Sequence, residues 1–249
     1  MNRKAFFDAV RVKPFAKALT QSQTDGMTII LDAWDKSGLR DIRWLAYMLA
    51  TAFHETARTM QPIREYGRGK GMKYGTTYYG RGFVQLTWKA NYQKAKDRFG
   101  EDFVGNPDLA LRPDLAAKIM FSGMTEGWFT GKELSDYINA DGCDYKGARK
   151  IINGTDKAVT IAGYAASFEK AIAAAQTAPA PDPAPVPPPP AVEPPVAAPE
   201  SSTGIAPATA AKAGVVATFI AAAGGWWTFG IVAVLAIAVV AYLVYRNRK

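Results

Sequence analysis

Residues 41 to 60 read "DIRWLAYMLATAFHETARTM". Trp44, Leu45, Met48, Leu49, Ala52 and Phe53 fall at helical spacing, and most positions between them are apolar too. That pattern predicts a helix buried on most of its circumference, the central helix of a mainly α domain. Asp41 is placed to cap it, because a carboxylate accepts from the free backbone N–H groups of a first turn. Glu55 falls at its C-terminal end, and Pro62, which has no N–H, forbids much continuation.

Just downstream, residues 66 to 82 read "YGRGKGMKYGTTYYGRG". Six glycines and four tyrosines rule out a helix and predict a hairpin or an irregular loop pair, a small β or loop excursion near 64–84. The GRGKG piece lacks the strand-before, helix-after context of a phosphate-cradling loop. On either side the helical pattern returns. "TQSQTDGMTIILDAWDKSG", residues 20 to 38, has polar cap candidates, an apolar stripe through Met27, Ile30, Leu31 and Trp34, and a terminating glycine. Residues 1 to 20 read as a helix broken near Pro14, with charges that exclude a secretory signal. "FVQLTWKANYQKAKDRFG", residues 83 to 100, predicts a helix stopped by Gly100, and Pro113 suits the first turn of another. "DYKGARKIINGT" and "AVTIAGYAASFEKAIAAA" predict two final helices around an Asn-Gly turn.

The chain divides by composition. Residues 1–175 have globular composition, 176–210 form a Pro/Ala-rich linker unable to build a core, and 211–227 are an apolar juxtamembrane segment. Residues 228–245, "TFGIVAVLAIAVVAYLVY", are an apolar run near the lower limit for a transmembrane helix, and 246–249 are a basic tail. That tail predicts a cytoplasmic C-terminus and a folded domain on the far side of the membrane, if the segment spans once. A hairpin broken at Gly224-Gly225 is the alternative, and it would leave the domain inside. The lone Cys143 excludes an internal disulfide and has no metal-ligand neighbours. Residues 1–174 hold 26 Lys and Arg against 19 Asp and Glu, a net +7. This suits a polyanion as partner, and charge alone does not choose between nucleic acid, anionic lipid and wall polymer.

Between Asp41 and Asp97 the only acidic side chains are Glu55 and Glu65. On one continuous helix they would stand about 15 Å apart. Pro62 and the glycines predict a turn-back that brings them face to face across a cleft. The environments differ in a useful direction: Glu55 ends an apolar helix, whereas Glu65 lies beside Arg64 and Arg68. Two carboxyls pushed apart in this way are the pattern of a general acid and a general base. The bland alternative pairs Glu55 with Arg58 and Glu65 with Arg64 or Arg68. His54, the only histidine, reads as a buried hydrogen-bonding group that anchors the following loop.

Three stretches, "AFHET", "YYGRGFVQLTWKANY" and "ARKIING", resemble in order and composition the motifs of glycoside hydrolase family 19. That family holds plant-type chitinases and bacteriophage endolysins, and the cysteine-poor form looks more like the endolysin branch. The resemblance spans roughly residues 40 to 172. It implies a lysozyme-like α+β fold and hydrolysis of a β-1,4 glycosidic bond with inversion, without metal or cofactor. It implies Glu55 as general acid, Glu65 as general base and Thr87 as the hydroxyl that holds the water. Gln85 and Asn91 would contact the sugar, and Asn153 would close the cleft from the other side. Tyr79 and Arg81 would add substrate contacts, with Tyr92 as framework beside them. The implied substrate is peptidoglycan, cut between N-acetylmuramic acid and N-acetylglucosamine, with chitin as runner-up. A phage lysis role implies the host inner membrane as location and a holin or other lysis protein as partner, and no nucleic acid. A lytic transglycosylase using Glu55 alone and a catalytically silent wall-binding protein are the alternatives.

Overall fold

Asp41 accepts the Arg43 N–H at 3.0 Å, and from this cap α3 runs Ile42–Glu55 in the computed structural model, which describes residues 1–16 and 18–179. Every residue from Leu45 to Phe53 is buried, as its uninterrupted apolar pattern predicts. Around it lie α1 (Arg3–Val12), α2 (Gln21–Ser37), α4 (Lys89–Phe99), α5 (Pro113–Thr125) and α6 (Ala158–Thr177). The architecture is mainly helical. α2 opens on a reciprocal cap, in which Thr20 and Gln23 each accept from the other's backbone N–H, and it ends at Gly38 with φ +75°. α6 packs along α3 and carries α1 on its flank. At that junction Phe53 meets Phe15 and Tyr164 edge-on, each at 4.8 Å between ring centroids.

Two antiparallel ladders interrupt the helices. β1 (Ile63–Arg64) pairs with β2 (Arg81–Gly82), which is the excursion expected near 64–84. β3 (Ile138–Asn139) pairs with β4 (Gly142–Cys143), and the Trp44 indole N–H donates to the Ile138 carbonyl at 2.8 Å, tying this second hairpin to α3. The second ladder was not expected. Strands of two residues are too short for alternation to show.

The helix expected over 83–100 begins only at Lys89. Gln85 has φ +53° and Trp88 φ +73°, and Arg81 and Leu86 exchange backbone hydrogen bonds at 3.2 and 2.8 Å. Residues 83–88 are therefore a tight loop folded back on β2. The segment 144–155 contains a 3-10 helix, Gly147–Ile151, in place of an α-helix, and further 3-10 helices cover Pro107–Leu111 and Leu134–Asp136. α6 runs two residues past the expected domain end at 175. Among the described residues no helix is long and apolar enough to cross a membrane. The juxtamembrane segment, the transmembrane helix, the basic tail and all of the linker beyond residue 179 lie outside the described residues.

Arg81 ties the first ladder to its surroundings. Its guanidinium donates to Asp108 Oδ1 at 2.8 Å, to the Thr77 and Tyr79 carbonyls at 3.0 and 3.1 Å, and to the Tyr92 hydroxyl at 2.9 Å. It also lies 3.7 Å from the centre of the Tyr79 ring. Arg64 donates to the other oxygen of Asp108 at 2.6 Å. These two arginines, Arg64 first, hold the Asp108 carboxyl below the usual carboxylate range. A carboxyl whose pKa is depressed on folding contributes stability that is complete above its unfolded value, about 4, and is lost as pH falls through the folded one. Asp108→Asn is accordingly expected to reduce the dependence of the unfolding midpoint on pH below about 4, measured by thermal unfolding across acidic buffers. An unchanged acid limb would show that the pair contributes nothing to acid stability.

Candidate active site

One cleft of about 420 Å³ gathers most of the expected site. Glu55 reaches it from the last residue of α3, and Glu65 from the residue after β1. Gln85 and Thr87 enter from the tight loop, Asn91 from the first turn of α4, and Asn153 from the far wall after the last 3-10 helix. Helix, proline turn and hairpin together perform the expected turn-back. The two glutamates face one space although ten residues of chain separate them.

Their surroundings differ from the expectation. Neither neighbour pairing forms: Arg64 turns to Asp108, and among the described residues no arginine forms an ion pair with Glu65. Glu65 instead accepts from the Tyr74 hydroxyl at 2.6 Å through Oε1 and from the Gly80 backbone N–H at 2.9 Å through Oε2. Both of its oxygens are acceptors, and each retains a lone pair for a water. Burial first, and then the bond to Glu65, push Tyr74 up to about 12, so its hydroxyl keeps its proton and stays a donor at neutral pH. The cation lies on Glu55: Arg149, only 3% exposed, donates to Glu55 Oε1 at 2.6 Å and to the Asp156 carbonyl at 3.0 Å. One carboxylate oxygen of Glu55 is thus held, and Oε2 forms no hydrogen bond among the described residues.

The supporting polar groups are themselves fixed. The Thr87 hydroxyl donates to the Gln85 carbonyl at 2.7 Å, so its oxygen remains an acceptor. Asn91 donates to the Thr87 carbonyl at 3.0 Å. Gln85 lines the cleft, but its amide NH2 is taken by the Ile63 and Gly82 carbonyls at 3.1 and 3.2 Å, which staples the tight loop across the ladder. Asn153 accepts from the Gly154 N–H, and its amide NH2 makes no hydrogen bond among the described residues.

Tyr79 and Arg81, expected as substrate contacts, do not line this cleft. Both are buried, and they join Tyr92, whose hydroxyl donates to the Tyr79 carbonyl at 2.7 Å, in the framework behind the hairpin. Gly80, between Tyr79 and Arg81 in the chain, lines the cleft, and its two neighbours do not. His54 makes no side-chain hydrogen bond among the described residues, and burial holds its imidazole below the usual range. The loop it was expected to anchor is held by Thr56, whose hydroxyl donates to the Ala52 carbonyl at 2.7 Å and accepts the Met60 N–H at 3.0 Å. Tyr74, Gly80 and Arg149 were missed. Four tyrosines in one glycine-rich loop offer no signal to choose among them. Arg149 lies within "ARKIING", and nothing local says that it reaches across 94 residues to Glu55.

Gly80 is required by space. A Cβ there would stand 2.8 Å from Gln85 Oε1 and 3.3 Å from the Glu65 Cβ. Gly80→Ala is expected to displace Glu65 and lower kcat by about ten- to a hundred-fold, since misplacement of a reacting group by an ångström has effects of that size. Steady-state kinetics beside a thermal midpoint check it. Wild-type kcat would mean that the side chains yield without moving the carboxylate. No group of His, Cys, Asp and Glu among the described residues has the arrangement to hold a metal ion.

Part of the chain is similar to known proteins. Residues 46–137 match the family model of chitinase class I, glycoside hydrolase family 19. An acidic endochitinase of Petunia hybrida is 35% identical over 89 residues, 34% of this chain and 33% of that protein. Chitinase 11 of Oryza sativa subsp. japonica is 66% identical over 40 residues, 16% of each chain. The crystal structure of chitinase C from Streptomyces griseus HUT6037 aligns with a TM-score of 0.48 at 20% identity, covering 72% of this chain and 78% of that one. The chain spans about a third or less of the length of the curated relatives it matches. These matches show a likeness to glycoside hydrolase family 19 over residues 46–137. The matched segment holds both glutamates, Gln85, Thr87 and Asn91, whereas Arg149 and Asn153 lie outside it.

Proposed function

We propose that the domain hydrolyses β-1,4 bonds of an N-acetylglucosamine-containing polysaccharide by single displacement with inversion. The observation that carries this reading is the one cleft lined by Glu55 and Glu65 together with Thr87 and Asn91. Glu55, anchored through Oε1 by Arg149, gives the proton on its other oxygen to the glycosidic oxygen as the bond to the leaving sugar breaks. Glu65, held by Tyr74 and Gly80, takes a proton from the water that attacks the anomeric carbon from the opposite face. The Thr87 oxygen accepts the second hydrogen of that water. Each cleavage thereby consumes one water and yields a reducing end of inverted configuration.

The net +7 of residues 1–174 favours an anionic wall glycan, peptidoglycan, as substrate. Chitin is the second reading, favoured by the chitinases that the chain resembles. The charge-free run 213–245 supports a membrane anchor that would hold the enzyme beside the wall. The test is digestion of purified peptidoglycan and of chitin by the full-length chain, with products read by mass spectrometry. Reducing muramic ends support the muramidase reading. Anhydro ends would replace it with a transglycosylase, chitin oligomers alone with a chitinase, and no product from either polymer with a wall-binding role.

A further inference from the structure

The hairpin that presents Glu65 has a second face. Arg64, Arg68, Lys70, Tyr79, Arg81 and Asp108 line a groove of about 850 Å³. It shares no lining residue with the cleft: Glu65 and Gly80 line the one, Arg64, Tyr79 and Arg81 the other. Four cations meet one carboxylate here. Asp108 is already engaged by both Arg64 and Arg81. Arg68 and Lys70 are exposed and form no ion pair among the described residues.

The wider charge distribution points to the same place. Residues 42–96, which build both the groove and most of the cleft, hold ten Lys and Arg against only Glu55 and Glu65. The rest of residues 1–174 holds sixteen against seventeen. The domain's positive charge is therefore concentrated in the segment that handles substrate. Guanidinium forks match the planar oxygens of carboxylate and phosphate groups, and an ammonium adds a mobile donor. A neutral glycan offers these groups nothing.

We propose that this groove is a second binding site, for carboxylate or phosphate groups carried on the glycan polymer, and that it gives the enzyme its preference for anionic over neutral β-1,4 glycans. The inference rests on the reading of the cleft as a glycan-cleaving site. The groove holds the polymer through its charged substituents while the cleft acts on the sugar backbone, so the two faces of one hairpin divide retention from chemistry.

The test uses the full-length chain carrying Glu55→Gln, which separates binding from cleavage, sedimented with purified peptidoglycan. Arg68→Glu/Lys70→Glu is expected to weaken retention by about tenfold or more, the effect of two exposed charge contacts reversed together. Retention of the unreversed chain should fall as salt rises. Arg68→Lys/Lys70→Arg should retain it. Loss of retention after carboxyl groups of the polymer are amidated assigns the peptide carboxylates as ligand. Loss after hydrofluoric acid treatment assigns phosphate. In the chain with Glu55 intact, the double reversal should leave hydrolysis of a short neutral N-acetylglucosamine oligomer unchanged. Undiminished retention of the double reversal would overturn the proposal, as would an equal loss on neutral chitin beads. Arg68→Gln/Lys70→Gln, checked for an unchanged thermal midpoint, gives the same reading where charge reversal disturbs folding. Cleavage that survives Glu55→Gln would instead overturn the cleft's assignment, and the binding comparison would still decide the groove.

Discussion

Glu65→Gln is expected to lower kcat on a soluble N-acetylglucosamine oligomer by about 10²–10⁴-fold, the usual contribution of a positioned general base. The amide keeps the size of the carboxylate but cannot take a proton from water. Its NH2 would also face either the Tyr74 hydroxyl or the Gly80 N–H, both of which donate to Glu65 in the native site. Glu55→Gln is expected to be comparably damaging for the opposite reason. The amide has no proton of suitable acidity to give, although its oxygen can still accept from Arg149. KM should change much less than kcat in both, because the loss falls on the transition state. Proton NMR of the wild-type digest should show the newly formed anomer inverted. A Glu65→Gln variant within about twofold of wild type would leave one working carboxyl and so transfer the chemistry to Glu55 alone, against the large effect required of a general base.

Arg81→Met is expected to be the most destabilising single change behind the site. It removes a nearly buried cation and leaves the Thr77 carbonyl without its donor, while the Tyr79 carbonyl keeps only the Tyr92 hydroxyl. Loss of one partner in such a network costs about 3–5 kcal/mol, and the half-exposed Asp108, which water can reach, places this case at the lower end. For a domain of this size that is a fall of about 6–12 °C in the thermal midpoint. Circular dichroism on the full-length chain measures it. A shift below about 2 °C would show that water replaces the guanidinium at little cost, since such a small shift corresponds to less than about 1 kcal/mol.

The helices were legible because their signals are local. Apolar residues at helical spacing, the polar cap candidates from Thr20 on, Asp41, Gly38, Gly100 and Pro113 each mark a feature within a turn or two of where they act. The same holds for Glu55, which an uninterrupted apolar helix and a following proline place at a helix end. The short ladders were illegible in register, since strands of two residues carry no period. The tight loop at 83–88 was misread as the start of the helix that follows it, although its β-branched and aromatic residues are poor helix formers. Its positive φ values at Gln85 and Trp88 are imposed by the bonds of Arg81 with Leu86 and of Gln85 with the ladder.

What the sequence by itself determined is therefore the mainly helical domain, the carboxylate at the end of its central helix, and the short interval in which a second carboxylate had to lie. What only the tertiary structure decided is the partner of each. Arg64 and Arg68 stand next to Glu65 in the chain, yet the cation that meets a cleft carboxylate is Arg149, 94 residues from Glu55. Arg64 and Arg81 line a different groove from Glu65, and there they meet Asp108. Charge proximity along a chain says little about charge proximity in space. Which way a side chain points is set by the backbone geometry of its element, and which partner it finds is set by what the core packs against that face.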